Sequence, residues 1–240
     1  MVCNPLTVFK LMKFNLLLLI ITFISMGAFA QSNPKESAEY KLNKAVYLQA
    51  KKYSDVGVAK NALYKLIALD PNDVSLLDSL VLLYFDYNQH APSLLVSLDI
   101  LKKNPNNLVA LEINAVSYEN LQLYDKALNS YEALYLRNNN LYTLYKIAFL
   151  QFNLKRFSES KTSADILLKD EKANEFKIVF NPDRNTSEEV TMKAAVLNLK
   201  GLIAKEEGNK EEARKLFNEA IAAGNPFTFA RQNLASLDDN

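Results

Sequence analysis

The sequence predicts an all-α protein, a solenoid of about five repeated helix–turn–helix units. Hydrophobic residues make up 49% of the 240 residues and only 5 are glycine, which favours a well-buried helical chain over a disordered one. Small residues recur at a nearly constant interval, because Ala59, Ser93 and Ala127 follow one another with a period of about 34 residues. Ser160 continues this series at almost the same interval, and Ala213 follows after one further period plus the length of an insertion. Apolar residues in between are spaced by three, four and seven positions, as on one helical face.

The clearest unit lies in residues 197–220. Gly201 and Ala213 are small and stand where two antiparallel helices would cross, with large apolar residues on either side. A turn at Gly208 separates the two helices, and Asn209 is a predicted N-cap of the second. The same pattern predicts five helix pairs, which span residues 40–73, 74–107, 108–140, 141–174 and 194–227.

Local signals predict where individual helices begin and end. Asp55, Asp125 and Ser158 each stand one or two positions after an aromatic residue, just before the second helix of a pair. Each offers a side-chain oxygen that can cap that helix. Pro71 and Pro105 are one repeat period apart, and each follows an apolar helix that a proline cannot continue.

These repeated positions resemble the tetratricopeptide repeat (TPR) family. The resemblance covers most of residues 40–227, and its clearest matches are residues 77–105, 111–134 and 198–222. The chain departs from the family pattern in having no Trp, in Lys200 and Asn114 where Leu is usual, and in Asn139 where the terminal Pro is usual. The resemblance implies a right-handed superhelix whose concave face is lined by the first helix of each pair.

The period is interrupted by residues 175–193, before the last repeat. Phe176, Ile178 and Phe180 alternate with other residues, turn formers follow, and a returning strand is predicted near residues 188–191. We therefore expect a short β-hairpin that packs against neighbouring helices, because an isolated hairpin is marginal in water.

A second interpretation of the insertion starts the next helix early. Thr186 and Glu189 have the spacing of a capping box, which would make the insertion a loop that ends in a helix N-terminus.

A final capping helix is predicted in residues 227–237. Phe227, Ala230, Leu234 and Leu237 recur at helical spacing and can cover the apolar face of the last repeat.

The N-terminus has the pattern of a secretory signal peptide. Lys13 is followed by an uncharged apolar run over residues 14–29. Ala28 and Ala30 are small, as the signal peptidase pocket requires, and we predict cleavage after Ala30. Residues 1–30 are then the signal peptide.

Export follows from this prediction. The mature chain is expected in the periplasm or cell envelope, or secreted, with residues 31–39 as a flexible lead-in and no stable membrane span after cleavage. The alternative is an uncleaved membrane anchor, but the apolar run is short for a spanning helix. Met1 and Met12 are alternative translation starts, and the sequence does not decide between them.

Composition and motifs argue against several classes of function. The net charge is +1, with 28 basic and 27 acidic residues, which gives no electrostatic case for nucleic acid. One Cys and one His cannot build a disulfide framework or a Cys/His metal site. There is no plausible catalytic triad and no Gly-rich phosphate loop. We predict a non-enzymatic protein without cofactor or metal.

The predicted binding site is the concave groove. Tyr142, Tyr145, Phe149 and Phe152 follow at intervals of three, four and three residues, which places four aromatic side chains on one face of one helix. By the family resemblance, neighbouring repeats add Leu82, Phe85, Val116, Glu119 and Asn120 to this groove. An aromatic groove with a few polar groups can bind an extended or helical peptide.

Two alternatives remain open at this stage. The aromatic face can be covered by residues 175–193 or by the last helix, in which case it is core.

The main functional hypothesis is a scaffold that binds a protein or peptide of the cell envelope. Its rivals are a structural protein whose repeats stack head to tail, and a hydrolase or carbohydrate-binding module that uses groove carboxylates.

Overall fold

The computed structural model describes residues 33–224 and 226–238, so the predicted signal peptide lies outside the described residues. The described residues form two compact units, which are divided between Leu76 and Leu77. The described residues contain eleven α-helices and one two-stranded antiparallel sheet, which confirms the predicted mainly helical architecture. The helices are α1 (Ala38–Lys52), α2 (Val56–Leu69), α3 (Val74–Asp86), α4 (His90–Lys103), α5 (Leu108–Asn120), α6 (Tyr124–Asn138), α7 (Leu141–Asn153), α8 (Phe157–Lys169), α9 (Met192–Glu206), α10 (Lys210–Ala223) and α11 (Thr228–Ala235).

The first unit is built from α1 and α2. Ser37 caps α1 by accepting a hydrogen bond from the Tyr40 backbone N–H at 3.1 Å, so the helix begins inside the predicted flexible lead-in. A short 3₁₀-helix, Pro34–Glu36, precedes it. Lys35 forms an ion pair of 2.6 Å with Asp73, which connects this segment to the turn that follows α2. The lead-in predicted over residues 31–39 therefore includes ordered secondary structure.

The turn within each helix pair repeats one backbone conformation. Five residues at the same repeat position adopt a left-handed conformation, with φ between 54° and 81°: Ser54, Asn88, Gln122, Lys155 and Gly208. Their spacing is that of the small residues in the sequence, so the predicted period is visible in the backbone itself. Only the last of the five is glycine, the residue that adopts this conformation without a steric penalty.

The predicted N-caps are correct at two positions and wrong at two. Asp55 accepts from the Val58 N–H at 3.1 Å, and Asn209 accepts from the Glu212 N–H at 3.2 Å. Asp125 and Ser158 do not cap, because α6 and α8 begin one residue earlier, at the preceding aromatic residue. Asp125 lies instead in the first turn of its helix, where the helix dipole favours a negative charge.

The crossing of α9 and α10 follows the predicted small-residue pattern. A Cβ atom placed on Gly201 would lie 2.5 Å from Cε1 of Phe217, and the Phe217 side chain is fully buried. The glycine is therefore required by close packing. Ala213 is also completely buried at the start of α10.

The insertion forms a β-hairpin, as predicted, with β1 (Lys177–Phe180) and β2 (Glu188–Thr191). Ile178 pairs with Val190, and both side chains are buried. The early-helix interpretation is wrong, because β2 continues to Thr191, whose side chain caps α9 by accepting from the Ala194 N–H at 3.1 Å. Thr186 bonds instead to Asp183 in the turn.

The final helix, α11, packs on the hairpin and on α10. The Phe180 ring lies 5.2 Å from the Phe227 ring and 5.8 Å from the Phe229 ring. Glu188 of β2 accepts a hydrogen bond of 2.8 Å from the Thr228 backbone N–H and another from the Thr228 hydroxyl. The N-cap residue of α11, Phe227, makes no capping hydrogen bond with its side chain. Glu188, forty residues earlier in the chain, therefore caps the helix.

Candidate functional site

The second unit contains an open cleft with a volume of about 520 Å³. It is lined by the C-terminal half of α5 and by residues along the whole length of α7, which are the first helices of two successive pairs. Tyr124 and Tyr131 of α6 also line it. The lining residues are Val116, Glu119, Asn120, Gln122, Tyr124, Tyr131, Tyr142, Lys146, Phe149 and Asn153.

Equivalent positions of two repeats face each other across this cleft. Val116 and Phe149 are one local repeat period apart, and so are Asn120 and Asn153. Successive first helices therefore present the same face, an apolar residue followed one turn later by an asparagine, to one cavity.

A partly buried ion pair lies in the cleft wall. Lys146 of α7 donates a hydrogen bond to Glu119 of α5, and the two side chains are only 19% and 21% exposed. The hydroxyl of Tyr131 donates to the other oxygen of Glu119 at 2.8 Å, and the Lys146 ammonium lies 5.9 Å from the Tyr131 ring centroid. These three side chains join α5, α6 and α7 at one point.

Tyr131 is the buried member of this group. Burial, and then the neighbouring Glu119 carboxylate, raise the pKa of Tyr131 well above its ordinary value, so its hydroxyl stays protonated and remains a donor. The carboxylate of Glu119 is therefore held by two donors, one charged and one neutral.

The four predicted aromatic residues of α7 separate into two pairs. Tyr142 is 44% exposed, and Tyr142 and Phe149 line the cleft. Tyr145 is only 8% exposed and belongs to the hydrophobic cluster that also contains Ile178 and Val190 of the hairpin. Burial raises the pKa of Tyr145.

Phe152 also packs rather than lines the cleft. Its ring lies 6.3 Å from Phe149 and 5.9 Å from Phe157, beside a cluster that joins α7 to Leu199 and Ile203 of α9. Tyr145 therefore packs in the cluster that includes the hairpin, as expected if residues 175–193 cover the aromatic face. Phe152 packs instead against α8 and α9.

The predicted residues of α3 lie elsewhere. Leu82 and Phe85 do not line the cleft; Leu82 is exposed, and Phe85 contacts the His90 ring edge-on at 6.3 Å. The structure thus brings together five of the predicted residues: Val116, Glu119, Asn120, Tyr142 and Phe149. Their role in binding stays a prediction.

Sequence reasoning missed five lining residues: Gln122, Tyr124, Tyr131, Lys146 and Asn153. Asn153 could have been found as the repeat equivalent of Asn120. Tyr131 lies on a second helix, which the repeat pattern assigns to the opposite side. Lys146 gives no signal of its own, because its pairing with Glu119 depends on how two repeats pack.

A smaller cleft of about 270 Å³ lies in the first unit, between α1 and α2. It is lined by Val46, Gln49, Ala50, Tyr53, Asp55 and Val58. The carboxylate of Asp55 is already used to cap α2, so this cleft offers mainly apolar surface.

Metal sites and membrane spans are both missing from residues 33–224 and 226–238. Within them, no group of three or more His, Cys, Asp or Glu side chains is arranged to hold a metal ion. None of the helices in this part of the chain has both the length and the apolar character needed to cross a membrane.

Similarity to other proteins is found at the level of fold. No protein-family model and no curated protein matches the sequence. A tetratricopeptide repeat protein from Parabacteroides merdae superposes with a TM-score of 0.64 at 18% identity, covering 84% of this chain and 73% of that one. YrrB, described as a TPR protein with an unusual peptide-binding site, gives 0.62 at 12% identity over 78% and 87% of the two chains. MamA from Desulfovibrio magneticus RS-1 gives 0.59 at 12% identity over 78% and 96%. The fold is therefore TPR-like.

Proposed function

We propose that this chain is a non-enzymatic interaction scaffold that binds a peptide or protein segment in the cleft between α5 and α7. The observation that carries the proposal is the cleft itself, which combines apolar and aromatic walls with a small number of polar groups. Its volume of about 520 Å³ lies within the range of protein ligand sites. Recognition sites for peptides pair such walls with groups that can bond the peptide main chain.

The fold supports this proposal by analogy. One structural neighbour, YrrB, is described as having a peptide-binding site. Helical repeats stack into extended surfaces that suit a segment of another protein better than a small substrate. The described side chains of the cleft are mainly aromatic and amide groups, and its carboxylate is engaged by Lys146 and Tyr131.

Export is the second part of the proposal. The apolar run before Ala28 and Ala30 supports secretion with cleavage after Ala30, and hence a partner in the periplasm or cell envelope, or outside the cell. Expression of the full chain, followed by fractionation and intact mass of the product, tests this. A mature N-terminus at Gln31 supports export, and a product in the membrane fraction that retains residues 1–30 contradicts cleavage.

A cross-linked pull-down from envelope extract tests the cleft. The variant Tyr142→Ala/Phe149→Ala removes two aromatic side chains that line the cleft and keeps the buried Tyr145. Tyr87→Ala is the matched control, because Tyr87 has the same 44% exposure as Tyr142 and does not line the cleft. Circular dichroism verifies that both variants fold.

The expected result is a partner that is captured by the parent chain and by the Tyr87 control but not by the cleft variant. Equal capture by all three chains would show that the cleft is not the site and would shift the search to the first unit.

Self-association is the second candidate function, and exposed apolar residues of the first unit favour it. Val46, Tyr53 and Val58 line the smaller cleft and are 36%, 66% and 43% exposed, so they form one contiguous apolar surface that a second copy of the chain can cover. Light scattering over a wide concentration range distinguishes this candidate, since a single monomer mass throughout would rule it out.

A further inference from the structure

The Glu119–Lys146 pair gives the cleft a particular charge balance. Of its ten lining residues, only these two carry a charge at neutral pH, and they are bonded to each other. The remaining lining side chains are amides, tyrosines and apolar groups. The wall therefore has no net charge, although it contains both a cation and an anion.

Such a wall disfavours a charged ligand of either sign. A ligand carboxylate that approached Lys146 would also face Glu119, and a ligand ammonium that approached Glu119 would also face Lys146. The attraction to one partner is offset by repulsion from the other, while the ligand charge still loses part of its hydration on entering the cleft. The Tyr131 hydroxyl holds Glu119 in place, which keeps the two charges together.

The uncharged groups supply the favourable contacts. Val116, Phe149 and Tyr142 offer apolar and aromatic surface to one buried side chain. Asn153 and Gln122 can donate to and accept from a peptide main chain whatever its sequence. Asn120 donates one amide hydrogen to the Val116 carbonyl at 2.9 Å, which fixes its side chain, and its oxygen can accept from a peptide N–H.

We infer that the Glu119–Lys146 pair is a specificity determinant that makes the cleft select an extended peptide with an uncharged anchor, an aliphatic or aromatic side chain, over one with a charged anchor. This inference rests on the proposed function of the cleft and adds the chemical class of its ligand. It also predicts binding that depends little on salt, because no net charge is neutralised.

Charge variants of the full chain test the inference against a random-peptide display library. The parent chain is expected to select peptides that share a Leu, Ile, Val, Phe, Tyr or Trp anchor. Lys146→Met leaves an unpaired carboxylate in the wall and is expected to favour Lys or Arg anchors. Glu119→Gln leaves an unpaired ammonium and is expected to favour Asp or Glu anchors. For peptide pairs that differ only at the anchor, each single variant shifts the affinity ratio by about tenfold.

The double variant Glu119→Gln/Lys146→Met is the matched control. It removes both charges and keeps the wall neutral, so it is expected to retain the parent's preference for an uncharged anchor. Melting curves of all the variants verify folding. If either single variant fails to fold, the double variant and the remaining single variant still measure the effect of charge balance.

The outcomes separate the inference from the proposed function. Selected peptides that lose binding in Tyr142→Ala/Phe149→Ala but carry charged anchors would overturn the inference and leave the binding site standing. The same holds if both single variants keep the uncharged preference. If no selected peptide depends on Tyr142 and Phe149, the proposed function fails, and the inference fails with it.

Discussion

Two regions of the second unit are both built from paired helices, but one is closely packed and the other contains an open cleft. At the closed region, α9 and α10 cross at Gly201, and the hairpin and α11 cover the remaining apolar face. At the open region, α5 and α7 leave a cleft whose wall holds an ion pair. In the closed region, Gly201 is small enough for the Phe217 ring to fill the space between the two helices. In the open region, the space between the helices is a cleft with polar and aromatic walls.

The difference shows how a helical repeat can use its positions for stability or for recognition. The fully buried Phe217 and the half-buried Phe149 are both aromatic residues of helices in this unit, yet only the second lines a cavity. The same substitution at each phenylalanine should therefore separate the two regions by its effect on unfolding.

Truncation of the two phenylalanines should give the largest difference. Phe217→Ala is expected to lower the free energy of unfolding by about 3–5 kcal/mol, because it leaves a cavity in a fully buried site. Phe149→Ala should cost less, since its side chain already faces the cleft and water can fill the space. Urea denaturation of both variants measures this, and equal losses would contradict the distinction between a closed and an open region.

The crossing glycine should give the next largest effect. Gly201→Ala is expected to destabilise by about 1–3 kcal/mol, because its Cβ would overlap the Phe217 ring and force the packing apart. Gly57→Ala is the control: a Cβ there meets only Asp55 Oδ1 at 3.7 Å, so the better helix former should stabilise by about 0.5 kcal/mol. Thermal unfolding measures both, and Gly201→Ala should cost less in a Phe217→Leu background. A cost unchanged in that background would show that the ring is not the cause.

The cap between the hairpin and α11 should have an intermediate effect. Glu188→Ala removes both acceptors of Thr228 and is expected to cost about 1–2 kcal/mol, as for other helix caps. Glu189→Ala changes the exposed neighbour in β2 and should have little effect. Chemical denaturation compares the two, and similar losses would argue against a specific role for Glu188.

The turns should give the smallest effects, with opposite signs. Lys155 adopts φ 58°, so Lys155→Gly is expected to stabilise the chain by about 0.5–1 kcal/mol through relief of steric strain. Gly208 adopts φ 81°, and a Cβ atom added there would meet no atom within 4 Å, so Gly208→Ala should destabilise by about 1 kcal/mol through backbone strain alone. Two melting temperatures that move in the same direction would refute this explanation of the turn.

The repeat period and the hairpin could be predicted because their signals are local. Helical spacing of apolar residues and alternation in residues 176–180 reflect only neighbouring positions, and both are present in the structure. Asn114 shows the limit of a family pattern. It stands where Leu is usual, yet it is buried with its amide between Ser97 at 3.1 Å and Ser130 at 2.7 Å. The departure is satisfied by partners on other helices.

The cleft could be predicted only in part, because rotation of a helix about its axis decides which residues face it. Tyr142 and Tyr145 are three residues apart on one helix, and one is exposed while the other is buried. The contact between Glu119 and Lys146 joins residues 27 positions apart on two helices. No sequence spacing specifies such a contact, since it depends on how successive repeats pack.

The reach of Glu188 to Thr228 also bears on how the last repeat opens. Terminal repeats of a helical array usually fray first, because each contacts a neighbour on one side only. Here a bond between segments forty residues apart encloses α9 and α10, so α11 cannot detach without releasing β2. The amide hydrogens of α9, α10 and α11 should consequently exchange with solvent together, as one cooperative block rather than as a gradient that rises from the C-terminus.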